Sequence, residues 1–167
     1  MSSAAKPLMS LDDALAIMLS HVPSTSSVET VATWDADGRV LAQDVVSELA
    51  VPALNNSSMD GYALRFEYYA WGQRRFPLSQ RVVAGAVGEP LHAGTAVRIF
   101  TGAPIPTGAT RVVIQEDVDR IGDRITIKPG ADVQDHIRPL GQDFRAGATL
   151  SPRLLRANDL ALLAAMN

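Results

Sequence analysis

Short runs rich in β-branched residues alternate with turn residues through the middle of the chain, and this pattern most constrains its fold. Such runs predict strands at residues 81–84, 95–101, 110–117 and 124–128. Turn residues separate them at residues 85–90, 104–108 and 121–123. Several short strands at such spacing are typical of a β-barrel or a β-sandwich. The middle of the chain is therefore expected to form a β-barrel-like lobe.

Helical patterns lie at both ends of the chain. Ser10 can cap a first helix, and Pro23 ends it. One face of this helix is apolar and comprises Leu11, Ala14, Leu15, Met18, Leu19 and Val22. A last helix is predicted at residues 155–166, with Asn167 just after its C-terminal end. We expect the two helices to pack on each other, so that the lobe containing them is discontinuous in sequence.

The predicted fold is α+β and β-rich, with a β-barrel-like lobe inserted into a lobe of helices and strands. The outer lobe comprises residues 8–50 and 142–167 and is expected to mediate dimerisation. The inserted lobe comprises residues 51–141, because Pro52 forces an extended backbone before it. Residues 28–34 and 39–46 are predicted to form a hairpin around the turn at residues 35–38. Residues 65–72 predict a short helix or an irregular loop.

Composition excludes several classes of protein. The 167 residues include no cysteine, which excludes a disulfide scaffold and a thiolate metal site. A net charge of -3 and an aromatic content of 5% do not favour a nucleic-acid partner. No apolar run reaches the roughly 20 residues of a membrane helix, and the polar residues 1–7 predict a disordered tail rather than a secretion signal. His21, His92 and His136 lack the spacing of a zinc site.

Two loops carry the residues most suited to chemistry. In residues 54–63, amide and hydroxyl groups crowd around Asp60, and Gly61 is expected to adopt a positive φ that points the carboxylate outward. Residues 98–109 predict a strand that runs into a stiff loop of glycines and prolines. We predict that the two loops form one site. The plainer alternative is that Asp60 and Gly61 form an ordinary hairpin turn.

Four motifs follow one another along the chain. They are Asn-Ser-Ser-Met-Asp-Gly-Tyr-Ala at residues 56–63, Arg-Ile-Phe-Thr-Gly-Ala-Pro-Ile-Pro-Thr-Gly-Ala at 98–109, Val-Val-Ile-Gln-Glu at 112–116 and Ile-Arg-Pro-Leu-Gly-Gln-Asp at 137–143. In this order they resemble the MoeA family, the molybdopterin molybdenumtransferases, to which the E domain of gephyrin is similar. The resemblance covers the N-terminal region of the family's architecture. It implies that the family's molybdopterin-binding α/β domain and its small β domain lie outside this chain.

The resemblance implies an enzyme that inserts molybdate into adenylylated molybdopterin, in a Mg²⁺-dependent step of molybdenum cofactor biosynthesis. It also implies a cytoplasmic homodimer that meets other cofactor-biosynthesis proteins and has no nucleic-acid or membrane partner. Motif matching implies that Asp60 and Thr101 are catalytic, with Asp60 a Mg²⁺ ligand shared with a domain outside this chain. The residues implied to bind substrate or oxyanion are Ser57, Ser58, Gly102 and Arg138. For Arg138 a structural ion pair is an equal alternative, and the chain is not expected to be active alone.

Two other functions compete with this one. A non-catalytic dimerisation or scaffolding module would use the apolar faces of the first and last helices. A β module that binds an unrelated small anion would leave Asp60 and Thr101 as chemically idle turn residues. The oligomeric state of the chain and the replacement of these two residues distinguish the three functions.

Overall fold

The computed structural model describes residues 9–23, 27–131 and 133–166, in two compact units, Met1–Ala32 and Thr33–Asn167. The predicted disordered tail at residues 1–7 and the predicted helix-ending residue Asn167 lie outside the described residues. No helix within the described ranges is long and apolar enough to cross a membrane.

The first unit contains helix α1, Leu11–Ser20, and confirms the predicted N-terminal cap. The Ser10 hydroxyl accepts a hydrogen bond from the Asp13 amide at 3.1 Å, so one free N–H group at the start of the helix is satisfied. The apolar face remains exposed to solvent, with Leu11 84% and Met18 69% exposed. Exposed apolar patches of this kind often mark a surface that another protein covers.

The hairpin predicted across residues 28–46 is wrong. A turn of 3-10 helix, Thr33–Asp35, occupies part of this segment. Strand β1, Val45–Val46, pairs antiparallel with strand β10, Thr149–Leu150, which lies near the other end of the chain. The sequence therefore predicted an extended segment correctly but not the strand with which it pairs. Turn residues indicate pairing only between neighbouring segments of the chain.

Six strands form one curled sheet, a half-barrel, and this confirms the β-rich α+β fold. These strands are β3 Gly61–Leu64, β4 Arg75–Val82, β5 Ala96–Ile99, β6 Arg111–Ile114, β7 Val118–Ile121 and β8 Arg124–Ile127. Their order across the sheet is β6-β3-β5-β4-β8-β7. All neighbours are antiparallel except β4 and β5, which run parallel. Strand β3 is therefore paired on both sides, although it is one of the shorter strands.

The predicted strands at residues 95–101, 110–117 and 124–128 are confirmed as β5, β6 and β8, except that the end of the second prediction, Gln115–Asp117, forms a turn of 3-10 helix. Strand β4 begins earlier than the predicted 81–84, because Pro77 and its polar neighbours conceal the alternation of buried and exposed positions. Strand β7 was missed, although the turn at residues 121–123 that joins it to β8 is confirmed. For residues 65–72 the sequence predicted either a short helix or an irregular loop, and the structure has the short helix α2, Phe66–Ala70.

Apolar side chains cover both faces of the half-barrel. On β3, Tyr62 and Leu64 belong to one buried cluster, together with Phe76, while Ala63 belongs to a second cluster with Val97. All four residues of β3 are buried, as expected for a strand that is covered on both faces and paired at both edges. The residue just before this strand, Asp60, is consequently attached to the most buried part of the sheet.

Helix α3, Ala157–Met166, confirms the predicted last helix and begins two residues after the predicted start. The Asp159 carboxylate accepts a hydrogen bond from the Arg156 amide at 2.9 Å and so caps the first turn. The lobe boundaries (residues 8–50 with 142–167, and 51–141) stay a prediction, as does the packing of the first helix on the last.

Candidate functional site

The segments that carry the sequence motifs meet around strand β2, Asn56–Ser57. This strand pairs antiparallel with β9, Ile137–Arg138, and Asn56 also forms an isolated bridge with Pro104. The Ser57 amide donates to the Ala103 carbonyl at 2.9 Å, and the Gly102 amide donates to the Ser57 carbonyl at 2.8 Å. The structure thus brings the two predicted loops together and adds the fourth motif beside them.

Asn55 fixes the same junction from the other side. Its side-chain oxygen accepts a hydrogen bond from the Leu140 amide at 2.7 Å, and its carbonyl accepts one from the Ile105 amide at 2.8 Å. A single asparagine therefore connects the first, second and fourth motifs. Sequence reasoning treated this amide only as one of several groups that could bind an anion, and missed that its bonds are made within the chain.

Asp60 and Thr101 are directly bonded. One carboxylate oxygen of Asp60, Oδ1, accepts two hydrogen bonds of 2.9 Å, one from the Thr101 amide and one from the Thr101 hydroxyl. The other oxygen, Oδ2, makes no hydrogen bond within the described residues, and the side chain is partly exposed. Thr101 therefore orients the carboxylate, and Oδ2 is left to contact a ligand.

The surroundings of Asp60 favour its charged form. The hydrogen bond from the Thr101 amide, and then that from the Thr101 hydroxyl, hold the pKa of the Asp60 carboxyl below its ordinary value. Desolvation opposes this lowering, and the charge of Arg98 adds a smaller effect in the same direction as the hydrogen bonds. At neutral pH the site therefore presents a fixed negative charge. Such a group can hold a cation or accept a proton, but it cannot act as an acid at that pH.

We expect Asp60 to titrate below an ordinary aspartate, and the Thr101→Val substitution to raise the Asp60 pKa towards the ordinary value. Carboxyl ¹³C NMR of the chain during acid titration measures both. Because the folded-state pKa is lowered, the stabilisation that Asp60 provides relative to Asp60→Asn is complete above the ordinary aspartate pKa and is lost as the pH falls through the folded-state pKa. Unchanged titration in Thr101→Val would contradict the assigned bonds. Thr149→Val, on strand β10, is the matched control.

Gly61 is required for a reason other than the predicted one. The expected positive φ is wrong, because Gly61 does not belong to the glycines with positive φ. A Cβ atom at Gly61 would lie 2.1 Å from the backbone carbonyl oxygen of Val113 on β6, so the close approach of the strands excludes any side chain. The hairpin alternative is also wrong, since Gly61 starts strand β3, which pairs with β5 and β6 and not with the strand before it.

The residues predicted to bind oxyanion occupy different environments. Ser57 is 1% exposed, and its hydroxyl donates to the Met59 carbonyl at 2.6 Å, so it shapes the turn before Asp60. Ser58 and Gly102 are exposed beside it. Arg138 is ion-paired with Asp143, and each side chain of this pair is 44% exposed. The ion pair that was one of the two predictions for Arg138 is therefore present, and the binding roles of all four residues stay predictions.

Two residues that sequence reasoning missed support the Asp60 turn. Arg98 Nη1 donates to the Gly61 carbonyl at 3.0 Å, and its Nη2 donates to Gln115 Oε1 at 2.7 Å. The Gln115 amide donates in turn to the Asp60 carbonyl at 3.0 Å. The sequence did offer one signal for the role of Arg98. It is a charged residue between the buried Val97 and Ile99 of a short strand, and a charged side chain that is partly buried usually has a specific partner.

The described residues contain no cluster of three or more His, Asp or Glu side chains that could hold a metal ion by themselves. Mg²⁺, however, is commonly bound through one or two carboxylates, with water and ligand oxygens completing its shell. The Oδ2 atom of Asp60 fits that requirement as a single ligand. A Mg²⁺ ion here would need further oxygens, from water, from a ligand or from other protein groups.

Known proteins are similar to most of this chain. The molybdopterin molybdenumtransferase of Nostoc sp. is 38% identical over an alignment of 173 positions. The alignment covers 95% of this chain and 39% of the relative. Molybdopterin molybdenumtransferase 2 of Mycobacterium tuberculosis is 40% identical over 126 residues, which cover 72% of this chain and 31% of the relative. The chain thus spans about a third to two fifths of the length of these relatives.

The fold and the family profile agree with these relatives. The crystal structure of the molybdopterin biosynthesis MoeA protein from Pyrococcus horikoshii matches with a TM-score of 0.77 at 34% identity, over 93% of this chain and 43% of that one. The profile of the MoeA N-terminal region (domain I and II) matches residues 9–167. The match extends over nearly the whole sequence and includes the motifs that contain Asp60 and Thr101. The chain therefore belongs to the MoeA family, and it corresponds to the N-terminal region of the family's proteins.

Proposed function

We propose that this chain provides the Asp60 side of an active site in which molybdate is inserted into adenylylated molybdopterin. One observation carries the proposal: the Asp60 carboxylate is ionised, held by two hydrogen bonds from Thr101, and has one oxygen left without a partner within the described residues. A carboxylate fixed in this way is prepared for a cation or a proton without further reorganisation. The names of the relatives support the choice of substrates.

Asp60 and the residues around it have different roles in this proposal. Asp60 Oδ2 is the atom that would hold Mg²⁺, which supplies positive charge to phosphate or molybdate oxygens when it is bound. Thr101 keeps the carboxylate oriented and ionised. The exposed Ser58 and Gly102 would contact oxyanion, while Ser57 keeps the turn in shape. A pterin-binding domain from the same gene product or from a partner subunit completes the site.

An insertion assay tests this proposal. The protein encoded by the native gene is incubated with adenylylated molybdopterin, molybdate and Mg²⁺, and formation of molybdenum cofactor is measured beside a MoeA relative as the positive control. We expect the gene product to be active and the 167-residue chain alone to be inactive. A gene product that remains inactive while the relative is active would overturn the proposal. Activity of the isolated chain would contradict the requirement for a pterin-binding domain outside this chain.

A second candidate function is dimerisation or scaffolding, which the exposed apolar face of α1 favours. Leu15 and Met18 on this face are 52% and 69% exposed. Burying a large apolar side chain in an interface contributes about 1.5–3 kcal/mol. A self-association surface on α1 is compatible with the enzymatic proposal, because the family resemblance implies a homodimer.

We expect the chain to dimerise through α1, and Leu15→Glu to weaken the dimer by roughly 100-fold or more, because it removes apolar burial and places a charge in the contact. Sedimentation equilibrium measures the change. Ala16→Glu, on the opposite face of α1, is the matched control and should leave the dimer unchanged. A wild-type chain that stays monomeric at high concentration contradicts the interface.

A further inference from the structure

A positively charged cavity lies on the half-barrel, where the C-terminal halves of β4 and β5 meet the β7–β8 hairpin. It has a volume of about 200 Å³, and its charged lining residues are Arg81, Arg98, Arg120 and Asp123. Three guanidinium groups thus share one small opening with a single carboxylate. This excess of positive charge indicates an anionic ligand.

The two central arginines are placed side by side by the sheet itself. Arg81 on β4 and Arg98 on β5 are register partners, and like charges directly opposite each other in a sheet repel. Both guanidinium groups lie over the ring of Phe100, at 4.6 Å and 4.4 Å from its centre. Cation–π contact with this ring offsets part of the repulsion and keeps both side chains beside Phe100.

The donors of these arginines are incompletely used. Across the described ranges, no ion pair involves Arg81, Arg98 or Arg120. The Arg81 side chain makes no hydrogen bond with any described residue, and the two side-chain bonds of Arg98 go to neutral oxygens. Arg120 donates only its Nε, to the Gly122 carbonyl at 2.9 Å. Guanidinium groups with free N–H donors are the usual partners of phosphate-like oxyanions, which they bind through paired hydrogen bonds.

We propose that this cavity binds a tetrahedral oxyanion dianion, of the phosphate or molybdate type, between Arg81, Arg98 and Arg120. The proposal rests on the proposed function and deepens it, because molybdate is such a dianion and the diphosphate linkage of adenylylated molybdopterin also carries two negative charges. Arg98 links the cavity to the Asp60 turn through the Gly61 carbonyl. An anion bound here would therefore be anchored next to the turn that carries the reactive carboxylate.

Arginine Nε–Hε NMR signals of the 167-residue chain provide the test. Inorganic phosphate, molybdate and chloride are titrated separately at constant ionic strength. We expect saturable shifts of the Arg81 and Arg98 signals with a dianion and not with chloride. Tighter binding of phosphate would indicate that a phosphate group of the pterin substrate occupies the cavity, and tighter binding of molybdate would indicate the metal oxyanion. Shifts that equal those with chloride, or no saturation, would overturn the proposal.

Two variants and a control locate the binding. Arg81→Gln and Arg120→Gln should each weaken dianion binding by roughly tenfold, because each removes a charge-assisted fork. Arg75→Gln, an exposed arginine at the start of the same strand β4, should have no effect. Equal weakening by all three would show non-specific attraction and would refute the site. Since anion binding by the isolated chain does not involve insertion chemistry, this result is independent of the insertion assay.

Discussion

Replacing Asp60 with asparagine is expected to lower the rate of molybdate insertion by roughly 10²- to 10³-fold, the usual loss when one preorganised electrostatic group is removed from an active site. Asparagine has the same shape and can still accept the two Thr101 hydrogen bonds, so the turn should persist. What disappears is the negative charge at Oδ2. Single-turnover rates of the native gene product, with saturating adenylylated molybdopterin and varied Mg²⁺, measure the loss.

The Mg²⁺ dependence separates two roles of this charge. If Asp60 holds Mg²⁺, the apparent affinity for Mg²⁺ should weaken in Asp60→Asn; if it accepts a proton, the rate should fall at every Mg²⁺ concentration. Asp37→Asn, at an exposed position in a turn, is the matched control and should retain full activity. Full activity of Asp60→Asn would favour the alternative in which Asp60 is an idle turn residue.

The largest effect on stability is expected at Gly61. The Gly61→Ala substitution places a Cβ atom 2.1 Å from the Val113 carbonyl oxygen, and the backbones of both residues are paired within the sheet. Since no side chain can rotate away, β3 and β6 must separate, and we expect the free energy of unfolding to fall by about 3 kcal/mol or more. Urea unfolding of the 167-residue chain, followed by circular dichroism, measures this change.

Gly38 is the matched control for this substitution. It has a φ of +74°, and no atom lies within 4 Å of the place that a Cβ atom would occupy there. Gly38→Ala should therefore lower the free energy of unfolding by only about 1–2 kcal/mol, the cost of a left-handed conformation for an L residue. Equal losses at the two positions would indicate that backbone conformation, rather than the contact with Val113, explains the requirement for glycine at residue 61.

The motifs predicted the partners in the candidate site better than they predicted the physical reason for each residue. Asp60 and Thr101 lie 41 positions apart. The composition of the two loops suggested that they form one site, and the family resemblance singled out these two residues. The hydroxyl of Ser57 is used inside its own turn, which composition cannot reveal. Gly61 was correctly identified as special, but the interpretation was wrong because a close approach between strands is a tertiary property.

The difference between local signals and tertiary contacts also explains the errors in the predicted fold. Strands β5, β6 and β8 were predicted because their apolar residues and flanking turns are local signals. The hairpin at residues 28–46 failed because β1 pairs with β10, and no local signal names a distant partner. Arg98 and Gln115 lie within two of the motifs but were assigned no role, because only the folded chain shows that they hold the carbonyl groups of Gly61 and Asp60.

The attachment of Asp60 to strand β3 has a consequence for motion. The next residues along the chain, Tyr62 and Ala63, are 5% and 0% exposed and are paired with strands on both sides. Their amide hydrogens should exchange with solvent only when the whole sheet opens, whereas the exposed segments beside the site should exchange through local fluctuations. The Asp60 carboxylate is thus attached to a strand that we expect to open slowly, and any adjustment to a ligand has to come from the ligand or from the surrounding loops.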